Sequence, residues 1–210
     1  MPKYRKISRK NFYFLLLLLF PFLQLCYQTI IKNYYQFDIQ IYEFLEAQRN
    51  TLLDFIFTNV YRITGTYFTG LVVLIALITL IRQRSWQEVK ALVFATLGIL
   101  LLVDEVLKPL FDRSRPFKPR LVNDLSPDSF PSGHAAGNLV FYFYMSFIIV
   151  ARYPHLAKYI YGLSSTLVLL IGFSSVYVKA HWATDIFAGY IFGYFWLLIS
   201  LVLLNFLTRK

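Results

Sequence analysis

Two histidines and a set of cations carry the chemistry that this chain could perform. His181 and Asp185 are four residues apart, one helical turn, so a helix presents both to the same neighbour. A carboxylate bonded to one imidazole nitrogen fixes the tautomer and leaves the other nitrogen free to attack, which makes His181 the candidate nucleophile. His134 follows Pro131, Ser132 and Gly133 at what reads as a helix start. Proline suits a first turn, serine caps it, and glycine lets an anion approach the backbone. The free N–H groups of such a turn, with the helix dipole, seat a phosphate, and a histidine beside that seat can protonate a leaving alkoxide. Lys108 and Arg115 add positive charge where nonbridging oxygens would sit, the arginine as a planar fork and the lysine as a point charge. Phosphoryl transfer gains mainly from positioning and charge stabilisation of this kind.

Taken singly, His181 could be an interfacial histidine beside a chance acid, and Ser132 a plain helix cap that gives no reason for His134. Arg113, Lys118 and Arg120 share the loop of Arg115 and are each suited to lipid headgroups or solvent. Asp104 and Glu105 precede Lys108 by four and three residues and can orient or partly neutralise it. The two histidines and Asp185 could in principle ligate zinc. Their spacing lacks the HExxH pattern, however, and cations crowd the site, so no metal or other cofactor is expected. His155 reads as a loop residue. Cys26, the single cysteine, lies in an apolar run and makes neither an intrachain disulfide nor a CxxC-type site.

The elements that must position these residues are apolar. The 210-residue chain is 58% hydrophobic and 15% charged, with mean hydropathy +0.55, against roughly 45–50% and 25% in soluble domains. A single domain over residues 1–210 is expected. A net charge of +10 could suggest nucleic acid, but the basic residues alternate with long apolar blocks and nothing resembles a recognition helix or a stacking platform. Apolar runs at 12–31, 58–81, 91–107, 135–150, 159–178 and 183–206 predict an all-α bundle of six transmembrane helices. Two of them, 91–107 and 135–150, are short and should extend into the flanking motif residues. The first run follows Lys3, Arg5, Lys6, Arg9 and Lys10. No small-x-small cleavage signature follows it, so a retained helix is expected. Between the first and second spans, 32–57 mixes acids, aromatics and aliphatics. Ile39, Tyr42, Phe44 and Leu45 could form the buried side of an interfacial amphipathic helix. A seventh span there would place Asp38, Glu43, Glu46 and Arg49 in hydrocarbon, each at a cost.

With the N-terminus inside, the cytoplasmic pieces carry twelve basic residues against one acid, Glu88, and the rest carries nine basic and ten acidic residues. This supports cytoplasmic termini. In that topology every polar cluster falls on the outer side, a coincidence independent of any motif because hydropathy alone placed the helices.

These residues resemble the type 2 phosphatidic acid phosphatase (PAP2) superfamily in three ordered motifs. The first is similar to Lys108 with Arg115-Pro116, the second to Pro131-Ser132-Gly133-His134, and the third to Ser174 followed by His181 and Asp185. The resemblance implies an integral protein of a bacterial cytoplasmic membrane, with an extracytoplasmic, metal-independent active site. His181 would form a phosphohistidine supported by Asp185. His134 would protonate the leaving group and then activate water, while Lys108, Arg115, Ser132 and the Gly133 backbone would hold the phosphoryl oxygens. The substrate would be a membrane lipid phosphate of the phosphatidylglycerol phosphate, phosphatidic acid or undecaprenyl pyrophosphate type, with no obligate protein partner. The family usually has arginine directly after the third-motif serine, where this chain has Ser175. In a continuing helix Lys179 would stand one turn above Ser175, so Lys179, or Arg113 from the other loop, is expected to supply the missing charge.

Alternatives stay open at this level. A lipid phosphotransferase could use the same phosphohistidine. A low-activity or non-catalytic descendant that binds or transports lipid would fit the helices, although transporters more often carry polar groups near the midplane of interrupted spans.

Overall fold

The computed structural model describes residues 9–31, 36–117, 119–123 and 125–208. Lys3, Arg5, Lys6, Lys118, Arg209 and Lys210 lie outside the described residues, as does the 32–35 part of the segment between the first two spans. The chain is all-helical: α1 (Arg9–Ile30), α2 (Gln36–Ala47), α3 (Thr51–Ile63), α4 (Thr66–Arg82), α5 (Trp86–Leu101), a π-turn (Leu102–Leu107) leading into α6 (Lys108–Phe111), α7 (Gly133–Arg152), α8 (Ala157–Tyr177) and α9 (Ala183–Leu207). Among the described residues the one extended pairing is an isolated bridge between Ser114 and Asp128. Helices close their backbone hydrogen bonds within one segment, which is why unbroken apolar runs adopt them in lipid.

Among the described residues, three helical stretches are long and apolar enough to cross a membrane, Gly133–Arg152, Pro154–Tyr177 and Ala183–Leu207; a fourth is Thr51–Ile63 with Tyr67–Arg82, if that pair, bent by 43°, counts as one. The break falls at Thr64–Gly65, where the helix yields to extended backbone. The helical segment over the second expected run begins at Thr51, earlier than the hydropathy onset at 58, because Asn50 caps α3 by accepting the Leu53 N–H at 3.0 Å. Within the preceding segment, α2 turns one acid inward. In α2, Phe44 is 63% exposed and Asp38 is 1% exposed, so the innermost residue of this helix is an acid.

The core lies between α5, α7 and α9, where Leu92, Ala95, Ile99, Val140, Tyr144 and Leu204 are buried together. Small residues let the backbones meet. A Cβ on Gly189 of α9 would stand 2.6 Å from the Ser132 carbonyl oxygen, and one on Gly193 would stand 2.9 Å from that of Ala136. Gly98 of α5 similarly leaves room for Trp196, whose Nε1 donates to the Ala95 carbonyl at 3.0 Å. At one end of the bundle Glu88 is buried, paired with Arg152. At the other end, the close of α5–α6, the start of α7, the close of α8 and the start of α9 converge.

Candidate active site

His181 lies in the short turn between α8 and α9 and is buried. The turn forms because α8 stops at Tyr177 and Lys179 takes a left-handed conformation (φ 62°), after which the N–H groups of Ala180 and His181 both donate to the Ser175 carbonyl. The Nδ1 of His181 is 2.9 Å from the Ser129 carbonyl oxygen and 3.5 Å from Asp185 Oδ2. Both neighbours only accept, so the proton belongs on Nδ1 and the lone pair on Nε2. That Nε2 faces Arg115, 3.4 Å from its Nη1. Burial, with the charges of Arg115 and Lys108 beyond it, lowers the His181 pKa to about 4 against the opposing pull of Asp185. Near pH 7 this favours the neutral imidazole, which keeps the lone pair on Nε2.

Asp185 sits in the first turn of α9 and is fully buried. Its Oδ2 accepts the Trp182 N–H at 2.9 Å, which caps the helix, and its Oδ1 accepts from Arg113 Nη1 at 2.5 Å. Arg113 continues to Thr184 Oγ1 at 2.8 Å and to Asp38 Oδ2 at 2.7 Å, and its guanidinium lies over the rings of Trp182 and Phe130.

The other cations surround one serine. Arg115 donates from Nε to the Ser126 carbonyl at 2.5 Å, from Nη2 to Ser126 Oγ at 2.9 Å, and from Nη1 to the Ala180 carbonyl at 2.5 Å. Lys108 reaches Ser126 Oγ at 3.5 Å and pairs with Asp104 at 2.5 Å. Glu105, the other acid before it, is exposed. Ser132 caps α7 by accepting the Ala135 N–H at 3.3 Å. Its own N–H donates to the Asp185 carbonyl at 3.1 Å, which ties the two histidine-bearing segments together. Gly133 is not forced by packing. A Cβ there would make only ordinary contacts, at 3.5 Å, with Asp104 and Val103. The glycine thus leaves the helix start open toward the cavity.

His134 stacks on Tyr61 of α3, with centroids 4.8 Å apart and planes inclined by 13°. Among the described residues its Nε2 is the one buried side-chain nitrogen or oxygen lacking a hydrogen-bond partner. A cavity of about 490 Å³ is lined by both histidines, Lys108, Arg115, Gly133, Asp104, Ser126 and Tyr61. It continues past Thr64, Thr69 and Asn138 between α4, α5 and α7, where Val73, Leu77, Leu97, Leu100 and Phe141 line it.

Lys108, Arg115, Gly133, His134 and His181 thus meet at one cavity, with Ser132 and Asp185 directly behind. Ser175, Lys179 and Arg113 are not among its lining residues. Ser175 Oγ returns to the Ile171 carbonyl within α8. Lys179 does not continue the helix. Its ammonium pairs with Glu46 at 2.6 Å, donates to the Tyr42 hydroxyl at 3.1 Å and lies over the Tyr42 ring. That contact in turn holds the Glu46 carboxyl below the usual range. Sequence reasoning missed Asp38, Ser126, Tyr61 and the Ser129 carbonyl. Of these only Asp38 left a trace, as an acid in a segment otherwise suited to apolar burial.

Comparison with known proteins supports the same reading. Residues 89–209 match the model of the PAP2 superfamily. Phosphatidylglycerophosphatase B of Bacillus subtilis is 29% identical over 132 residues, a match spanning 61% of this chain and 64% of that protein. The undecaprenyl-diphosphatase of Sulfolobus acidocaldarius is 26% identical over 193 residues, covering 88% and 87%. Among solved structures, the transmembrane PAP2-type phosphatidylglycerolphosphate phosphatase of Bacillus subtilis shares the fold at TM-score 0.76, with 24% identity over 91% of this chain and 94% of its own. LpxE of Aquifex aeolicus superposes at TM-score 0.65, with 27% identity over 80% and 96%. The family match takes in more than half of the chain, including α7, α8 and α9 with His134 and His181, and the protein belongs to the PAP2 superfamily.

Proposed function

We propose that this integral membrane protein is a metal-independent phosphatase that hydrolyses a lipid phosphomonoester or diphosphate through a phosphohistidine on His181. One observation carries the reading. The Nε2 of His181, whose lone pair faces Arg115, and the unpartnered Nε2 of His134 border one cavity with Lys108 and Arg115, and that cavity runs on into an apolar cleft between helices. A lipid can leave its chains in the cleft while its phosphate lies between the cations.

The His181 Nε2 lone pair forms the N–P bond as the bond from phosphorus to the leaving oxygen breaks, and His134 gives that oxygen a proton. The substrate phosphate brings the counter-charge that lets His134 carry the proton beside two cations. Water then attacks the phosphohistidine, His134 takes its proton, the N–P bond breaks, and inorganic phosphate leaves. Lys108, Arg115, Ser132 and the free N–H groups at the start of α7 stabilise the charge on the phosphoryl oxygens. Phosphatidylglycerol phosphate, phosphatidic acid and undecaprenyl pyrophosphate are the substrate types in view.

The reading places six spans in the membrane: α1, bent α3–α4, α5 through α6, α7, α8 and α9. It sets α2 at the interface and the site on the extracytoplasmic side. The test is phosphate release by purified protein, in chelator, from a panel of lipid phosphates, with His181→Ala as control. Release from one or more lipids that disappears in His181→Ala is expected, and release untouched by that substitution refutes the mechanism.

A further inference from the structure

We infer that Asp38, outside all three motifs, is a positioning residue that sets the charge felt by His181 through a buried chain running Asp38, Arg113, Asp185, His181. The inference rests on the phosphohistidine reading above. Asp38 stands in the first turn of α2 and its side chain is fully buried. Its Oδ1 accepts the Thr184 backbone N–H at 2.9 Å, and its Oδ2 accepts from Thr184 Oγ1 at 2.5 Å and Arg113 Nη2 at 2.7 Å. The other arm of Arg113 serves Asp185 Oδ1 at 2.5 Å, while Asp185 Oδ2 lies 3.5 Å from the Nδ1 of His181. One guanidinium thus bridges two buried carboxylates contributed by helices far apart in sequence.

Charge bookkeeping gives the chain its purpose. Phosphorylation at Nε2, with the proton kept on Nδ1, leaves the imidazole ring cationic, and that ring needs an uncompensated anion behind it. Arg113 and Asp185 alone would sum to zero. The second carboxylate makes the cluster net negative, so Asp185 remains an effective acceptor for the Nδ1 proton as positive charge develops. On the opposite side Arg115 and Lys108 face the cavity, where they raise the cost of any positive charge on His181. A purely structural role for Asp38 would be to hold α2 against the first turn of α9.

The two roles separate in a kinetic cycle. Asp38→Asn keeps the shape and an acceptor for the Thr184 N–H but removes the charge. With the lipid phosphate that the wild type hydrolyses best, kcat is expected to fall about 10- to 100-fold, as for other partners that orient a reactive imidazole, with KM within roughly threefold. In an Asp185→Asn background the same substitution should change kcat by less than about threefold, because its route to His181 is already cut. Glu46→Gln removes the ion pair between α2 and Lys179, leaving the Tyr42 hydroxyl contact in place, and should leave kcat at the wild-type level. Arg113→Lys approaches from the far side: an ammonium lacks the fork that bridges both carboxylates, so kcat should again fall with KM held. If Asp38→Asn does not purify as a monodisperse protein, Asp38→Ser, which also removes the charge, takes its place with the same expected loss and the same overturning result.

Wild-type kcat in Asp38→Asn, while release still depends on His181, overturns the inference and leaves the phosphatase reading standing. An undiminished effect of Asp38→Asn in the Asp185→Asn background, or an equal loss in Glu46→Gln, reduces Asp38 to an anchor and likewise overturns it. Absence of His181-dependent release in the wild type removes both readings together.

Discussion

Replacing Gly189 by alanine adds one methyl group where α9 crosses α7, and the structure fixes what it must displace. The new Cβ would stand 2.6 Å from the Ser132 carbonyl oxygen and 3.0 Å from the Ala135 Cβ, both backbone-anchored and unable to swing aside. Opening these contacts to ordinary separations widens the helix pair by about 0.4–0.8 Å. Overpacking of this kind costs about 1–3 kcal/mol, and the better helix propensity of alanine returns up to about 1. A net loss of about 1–2 kcal/mol corresponds to a Tm fall of roughly 2–8 °C for a chain of this size. The larger effect should be on rate. The residue pushed aside is Ser132, whose own N–H ties it to the Asp185 carbonyl, so His134 and His181 shift relative to one another. A misplacement of about 1 Å costs on the order of 100-fold, which sets the expected kcat loss near tenfold. Thermal unfolding in detergent and phosphate release are measured beside Gly162→Ala, where a Cβ would meet nothing within 4 Å. Wild-type kcat and Tm in Gly189→Ala would refute the claim that this crossing holds the two histidines in register.

Two further outcomes follow from the site. His181 should keep its neutral Nδ1–H form as pH falls through 6 and 5 and protonate only near pH 4, because burial penalises the charged ring. An unfolded chain takes up that proton from about pH 6.5, so His181 also makes the fold less stable as pH drops through this window. Nitrogen-15 spectra of a chain with only three histidines read this directly, and a midpoint at or above 6 contradicts it. Lys179→Ala should leave kcat/KM within roughly threefold of wild type and cost less than about 1 kcal/mol of stability, since its partner Glu46 is partly exposed. A tenfold rise in KM would instead place the Lys179 ammonium on the substrate phosphate.

What could be read in advance followed from local rules. Apolar runs locate helices because lipid demands them, the four-residue spacing of His181 and Asp185 survives any detail of packing, and Ser132 announces a helix start by its chemistry. The extrapolation of α8 through Lys179 failed because the helix ends at Tyr177, and nothing in the intervening residues marks the left-handed turn that swings the ammonium toward α2. Asp38 could not be assigned because its partners lie 75 and 146 residues away. Arg113 could be recognised as a cation, but only the fold shows that both of its arms are occupied by carboxylates. Among the described residues lining the cavity, the lysine and arginine are Lys108 and Arg115, which Ser126 holds side by side.

The glycine-lined crossing of α7 and α9 is also a seam. Lys108, Arg115 and His134 precede the turn at Pro154, and His181 and Asp185 follow it. Neither portion of the polypeptide contains all of the residues proposed for the reaction, so on that proposal phosphate release should begin only once α9 has joined the earlier helices. The same division makes this turn, at the far end of the bundle from the cavity, the natural place to split the protein into two complementing fragments.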